Sequence, residues 1–343
     1  MIKSPEIIFI IGRSRSGTTL LRSMLDMHQF ISIPNECTFI LQLLKRYKNI
    51  KNWDPYIIEK FIFDLKKTWL SDNLKLDVDN LKENLKNFNQ KSCFQDICKQ
   101  VILNTPSAIS KPDLMYVGDK NPSSSLNLKT IYSIFGNDCK YIFINRDYRD
   151  QYLSQKNAGV EIPNIVVSAK RWVKAFTDFL KVSENKKSNF YNLRYEDLVT
   201  EPEKNLQEIC EFLNISYDKK MLEFYNIENL NKSFSEISLQ GIHSSIKNPV
   251  SEKSIGLWKK NLTERQIKIL DKICGKYKKQ SGYKVDTNIN DFAFFIITFP
   301  DYLLYYFTVL SSCFIKWLPF NIYLKLSGGA FLGSLWNKLF RKK

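Results

Sequence analysis

The stretch IIFIIGRSRSGTTLLRSMLDMH, Ile7 to His28, constrains this chain more than any other. Five apolar residues run into a polar loop bounded by Gly12 and Gly17, and the loop runs into a segment with helical apolar spacing. A buried strand, a glycine-bounded turn and a helix N-terminus together make a phosphate-binding loop. The reason is that backbone N–H groups and the helix dipole converge on one anion.

Other segments place this unit in a larger sheet. Tyr141–Asn145 reads as a second buried strand and Asn189–Leu193 as a third, while Leu20–Met27 and Leu206–Leu213 have helical periodicity. Strands alternating with helices predict an α/β chain, a P-loop-like three-layer fold with a central parallel sheet flanked by helices. Residues 1–289 are expected to form one domain, with a polar helical insertion at about 45–110 that shapes a substrate site.

Composition narrows the partners. With 51 Lys and Arg against 35 Asp and Glu, a net of +16, the chain favours anionic ligands or surfaces. No basic stripe with interleaved aromatics is present, which argues against a nucleic-acid binder. Seven scattered cysteines without a CxxC pair, and only two histidines, predict reduced thiols and no metal site. The N-terminal apolar run is too short for a signal peptide, so a cytoplasmic protein is expected.

The loop keeps the Walker spacing of Gly12 and Gly17 and the hydroxyl of Thr19, but Thr18 stands where the lysine should be. Positive charge lies instead inside the loop, at Arg13 and Arg15. A kinase would also need a carboxylate for Mg²⁺ at a strand end, whereas YIFIN ends in Arg146. These features predict an anion handled by arginines without metal. They disfavour the alternative, an ATP-dependent P-loop phosphotransferase.

RSGTTLLRSMLDMH resembles the 5′-phosphosulfate loop of sulfotransferases that use 3′-phosphoadenosine 5′-phosphosulfate (PAPS). It is most similar to the tyrosylprotein sulfotransferases and the bacterial enzymes sharing their loop. YIFINRDYRDQYLS supplies the family's second signature, an arginine with a serine eight residues on. The resemblance implies that Arg15, Ser16, Gly17, Thr18 and Thr19 hold the 5′ side, and that Arg146 and Ser154 hold the 3′-phosphate. VGDKNP, with Lys120, is similar to a G-[DE]-K-x-P element. NLRYEDL places Tyr195 beside the adenine, and SIGLWKKNLTERQ implies Lys259 as a cofactor contact. These matches extend over roughly residues 7–283.

Sulfuryl transfer needs a base for the acceptor proton and cations on the sulfuryl and leaving oxygens. Glu36, in ISIPNECTFI, lies where the resembling enzymes carry their catalytic glutamate, and Arg15 and Lys120 are the implied cations. Asn35 replaces a second acid of the tyrosylprotein enzymes, which weakens the case for a peptide tyrosine as acceptor. A histidine base, as in the cytosolic small-molecule enzymes, has two candidates, His28 and His243. Either Ser244 or Ser245 is a further candidate to assist.

The expected activity is transfer to a hydroxyl of a glycan, lipid or other metabolite. Residues 290–343 form a separate tail, apolar and aromatic over 292–315 except for Asp301, and basic at its end. Pro300 and Asp301 are expected to break the span, so the tail is expected to lie in a membrane interface rather than cross it. The other ways to cover it are packing on the domain or on the second copy of a homodimer.

Overall fold

The structure is a computed structural model that describes residues 4–86, 88, 92–105, 111, 113–159, 161–226, 244–285 and 289–327. Among these residues five strands form one sheet, β1 Glu6–Ile11, β2 Ile31–Ser32, β3 Tyr116–Lys120, β4 Cys139–Asn145 and β5 Phe190–Arg194. All neighbours pair in parallel, in the order β2-β3-β1-β4-β5.

β1 is the centre of the sheet and is buried on both faces, which is why its sequence is an unbroken apolar run. Ile7, Phe9 and Ile11 face one core, and Ile8 and Ile10 face the other. The first core contains the long helix Ile165–Ser183. The second contains the loop helix Thr18–Leu25 and the helix Pro202–Phe212. The expected three-layer α/β architecture is therefore present, and the three strands and two helices read from the sequence lie within one to four residues of their observed ends.

β2 and β3 were not legible from periodicity. β3 reads YVGDK, and Gly, Asp and Lys are poor strand formers in isolation. Pairing with β1 from Glu6↔Tyr116 to Ile10↔Lys120 holds it in place. Gly118 is required there because a Cβ would lie 2.6 Å from Cγ1 of Ile33.

Between β2 and β3 the chain forms the helices Phe39–Tyr47, Pro55–Leu65, Val78–Leu85 and Phe94–Leu103. Tyr47 stacks on Trp53, Phe61 meets both rings edge-on, and all three join the same core as β1.

The tail departs from expectation. A single helix, Asp291–Trp317, runs through Pro300 without a break. Pro300 removes one backbone donor, but tertiary contacts compensate. Phe294, Ile297, Tyr302 and Tyr305 pack against the core, and the Asp301 carboxylate accepts from Asn164 Nδ2 at 2.7 Å. By its length of 27 residues and its apolar composition the helix could cross a membrane, yet one of its faces lies along the domain.

The helix Phe320–Ser327 then returns to the domain. Gln42 Nε2 donates to the Leu324 carbonyl and to Ser327 Oγ, each at 2.9 Å, and Arg46 stacks 3.6 Å over the Phe320 ring.

Candidate active site

The phosphate loop leaves the C-terminal end of β1, the strand at which the sheet order reverses. Open α/β sheets place ligands at such a switch point, outside the carboxyl ends of the strands. Lys120 ends β3, Arg146 follows β4 and Tyr195 follows β5, so all three side chains arrive at the same edge as the loop. One cavity of about 1900 Å³ is lined by Arg15, Gly17, Thr18 and Thr19 from the loop, together with Glu36, Lys120, Arg146 and Tyr195.

The loop's shape is enforced locally. Gly17 caps the loop helix with φ 94°, and a Cβ there would lie 2.4 Å from Tyr195 Cδ2. Arg15 also adopts a left-handed φ of 69°, a conformation held by its surroundings. Gln151 Nε2 donates to the Ser14 carbonyl (2.9 Å) and to Ser16 Oγ (3.0 Å), and Gln155 Nε2 donates to the same carbonyl. Ser16 is thus buried behind the loop rather than on the cavity wall.

The arginines divide their work. Arg13 is tied to Glu161 at 2.7 Å, and Arg171 shares that carboxylate at 3.0 Å, so Arg13 is a structural ion pair. Arg15 Nε donates to Ser154 Oγ at 3.0 Å, joining the loop to the helix Tyr148–Ala158. Arg146 donates to the carbonyls of Arg15 (3.0 Å) and Ser254 (2.8 Å), and its guanidinium lies 4.5 Å from the Tyr195 ring centroid.

Burial, and then the positive charge of Arg146, hold the Arg15 guanidinium below the usual arginine range. Nε of Arg146 is buried without a hydrogen-bond partner among the described residues. A pair of crowded guanidiniums beside a phosphate loop, Arg146 buried and Arg15 half-buried, with one donor of Arg146 unused, fits a site for an anion.

On the other side of the loop, Lys120 Nζ donates to Glu36 Oε2 at 2.9 Å and lies 3.4 Å from Thr19 Oγ1. Thr18 is buried where a Walker lysine would extend, so β3 supplies the ammonium instead. Glu36 is positioned by the turn behind it. Arg22 Nε donates to the Ile33 carbonyl at 2.7 Å, Ile33 N donates to Asp26 at 2.9 Å, and Lys111 pairs with Asp26 at 3.0 Å. Asn121 Nδ2 holds the Cys37 carbonyl at 3.1 Å. Beside Lys120, burial pushes the Asp119 carboxyl up to about 7, and the nearby Glu36 charge adds to the rise.

Other expected residues are placed differently. Lys259 is exposed over the Trp258 ring (5.8 Å) and does not line the cavity, whereas Lys253 and Ser254 do. Tyr195 OH and Ser254 Oγ are hydrogen-bonded at 2.6 Å. Asp150 anchors this segment by accepting from Gly256 N (2.6 Å) and Trp258 N (2.9 Å). Nothing in the sequence pattern singled out Asp150 or Gln151, since their partners are distant in the chain and, Ser16 Oγ apart, are backbone groups.

His28 is fully buried. Its Nδ1 accepts from Phe30 N at 3.1 Å, which leaves Nε2 to donate to the Ser216 carbonyl at 2.8 Å. It is structural. His243 lies outside the described residues, as do the side chains of Ser244 and Ser245.

A model of the family described as "Sulfotransferase family" matches residues 5–219. The chain is similar to a "Putative protein-tyrosine sulfotransferase" of Caenorhabditis briggsae, with 23% identity over 302 residues that cover 84% of this chain and 93% of the relative. Among solved structures it is similar to the sulfotransferase domain of the Synechococcus olefin synthase, with a TM-score of 0.57 and 20% identity, covering 83% of this chain and 97% of that one. The sulfotransferase domain from the curacin biosynthetic pathway gives a TM-score of 0.56 at 22% identity, covering 82% and 99%. The structural likenesses show the fold, and the family match covers the sheet, the phosphate loop, Glu36, Lys120, Arg146 and Ser154. The chain therefore belongs to the sulfotransferase family, and it is an enzyme that transfers a sulfuryl group.

Proposed function

We propose that the sulfuryl donor is PAPS and that the acceptor is a hydroxyl of a glycan, a lipid or another metabolite, with Glu36 as the base. The observation that carries this reading is the convergence of Arg15 and Arg146 behind the phosphate loop, with Ser154 on Arg15 and an unused donor on Arg146. PAPS supplies a sulfuryl group already bonded to a good leaving phosphate.

The chain's part is to place and discharge the reacting groups. Loop N–H groups from Gly17 to Thr19 and the helix N-terminus take the 5′-phosphate, and Arg146 takes the 3′-phosphate. Ser154 serves that grip through Arg15. Tyr195, packed under Gly17 and against Arg146, forms the adenine side of the cavity.

As the acceptor oxygen bonds to sulfur, the sulfur–oxygen bond to the 5′-phosphate breaks and 3′,5′-adenosine diphosphate leaves with the electron pair. The acceptor proton passes to Glu36. Lys120, bonded to both Glu36 and Thr19, is placed to follow the charge from the sulfuryl oxygens to the leaving oxygen. No step calls for a divalent metal, because two cations, Arg15 and Lys120, serve the charge that Mg²⁺ handles in phosphoryl transfer.

Calorimetric titration tests the donor assignment. The wild-type chain should bind 3′,5′-adenosine diphosphate more tightly than AMP or ATP–Mg²⁺. Preference for ATP–Mg²⁺ would instead favour the phosphotransferase reading. The tail's outer face and its basic residues support a cytoplasmic enzyme peripheral to a membrane.

A further inference from the structure

The tail helix has two faces with different tasks. Toward the domain, Tyr305, Thr308 and Ile315 line the same cavity that holds Glu36, Lys120 and Arg146. Away from it, Phe299, Leu303, Phe307, Leu310, Phe314 and Trp317 form an exposed stripe, with Trp317 87% exposed. Successive helix residues turn by about 100°, so these positions at spacings of three and four share one side. Asp301, the sole charge between Asp291 and Lys316, faces Asn164 of the domain, which leaves the outer stripe uncharged.

The faces meet at an opening. Val309, Ser312, Cys313 and Lys316 are exposed and also line the cavity, so its mouth runs along the helix beside the apolar stripe. Lys45 and Lys48 are exposed at the same end of the cavity, and Lys325 is exposed on the following helix. An aromatic-aliphatic stripe flanked by lysines matches the acyl boundary and headgroups of an anionic leaflet. A helix packed along one side by the domain offers only its outer face to lipid, an arrangement that suits an interfacial helix.

We propose that the acceptor is the hydroxyl of an amphiphile with an apolar chain, taken up sideways from an anionic membrane on which the tail helix rests. The helix is then both the membrane contact and a wall of the acceptor end. This proposal rests on Glu36-assisted sulfuryl transfer in the same cavity. The hydroxyl would meet Glu36 while the apolar chain runs past Tyr305, Thr308 and Ile315 to the mouth.

The test uses the full chain, vesicles of phosphatidylcholine with phosphatidylglycerol, and 1-dodecanol dissolved in them as acceptor, with PAPS labelled in its sulfur. The wild type should float with these vesicles, and Trp317 emission should shift to the blue. Label should pass to 1-dodecanol at least about tenfold faster than to 1-butanol or a tyrosine peptide, as the burial of several methylenes dictates. Replacing Phe299, Leu303 and Leu310 together by serine should abolish flotation and cut transfer to dodecanol more than about tenfold, with 3′,5′-adenosine diphosphate binding unchanged. Ser312→Trp, which fills the mouth, should float normally and lose dodecanol transfer.

A wild type that binds 3′,5′-adenosine diphosphate but does not float would overturn the proposal. So would a stripe buried against a second copy in solution, or transfer to the peptide at a rate indifferent to vesicles and stripe. Failure of the donor assignment is separately visible, as a wild type that does not bind 3′,5′-adenosine diphosphate.

Discussion

Lys120 Nζ lies 2.9 Å from Oε2 of Glu36 and 3.4 Å from Thr19 Oγ1, so one ammonium joins the end of β3 to the phosphate loop and to the proposed base. Glu36 keeps part of its side chain exposed (22%) while the lysine is nearly buried (3%). A carboxylate on the cavity wall with its cation behind it can receive a proton from an incoming hydroxyl.

Glu36→Gln keeps the shape and removes the basicity. Turnover is expected to fall by about 10²–10⁴, with the affinity for 3′,5′-adenosine diphosphate nearly unchanged. Steady-state kinetics beside calorimetry separate the two. Retained turnover in this variant, together with its loss in His243→Ala, would move the base to the histidine.

Arg146→Ala should weaken 3′,5′-adenosine diphosphate far more than AMP, because only the former carries the 3′-phosphate. Loss of a charge-assisted pair corresponds to roughly 10- to 150-fold in Kd. Equal losses for both nucleotides would reject Arg146 as the 3′-phosphate ligand. In the wild type, turnover in EDTA should match turnover without it.

Asp119 makes stability depend on pH. Its carboxyl loses its proton near 3.8 when unfolded and near about 7 in the fold, because burial penalises the charged form. Between these values the folded state holds the extra proton, so stability declines as pH rises from about 4 to about 7 and does not recover above. The gap corresponds to at most about 4 kcal/mol. Asp119→Asn should flatten that slope, raising Tm at pH 8 relative to wild type and changing it little at pH 4. An unchanged slope in thermal melts across this range would show that Asp119 is not its source.

Ending the chain at Asn290 takes away the helices Asp291–Trp317 and Phe320–Ser327. In the fold it removes the partners of buried Gln42, at Leu324 and Ser327, and one wall of the cavity. The shortened chain should melt lower and lose acceptor transfer, because the apolar residues that packed on the tail become exposed. It should still bind 3′,5′-adenosine diphosphate, whose loop lies on β1. Wild-type Tm and full transfer would show the tail to be dispensable.

Local order made much of this protein legible in its sequence. The run Ile7–Ile11, the glycine spacing and the helical period after Thr18 are neighbours in the chain, so strand, loop and helix follow from short-range sterics and two-sided burial. Arg146 and Ser154 stand eight residues apart, after β4 and within the following helix, so the family's motif can be matched to them in the sequence.

What required tertiary structure are the features whose cause is a distant partner. β3 is a strand because β1 pairs with it, not because of YVGDK. Arg13 is tied up in an ion pair with Glu161, 148 residues away. Lys253, not Lys259, reaches the cavity, because Asp150 fixes the turn between them. The tail helix runs through Pro300 because packing against the domain outweighs one missing hydrogen bond. Periodicity reports which residues avoid water, but only the folded chain decides which surface they avoid it against.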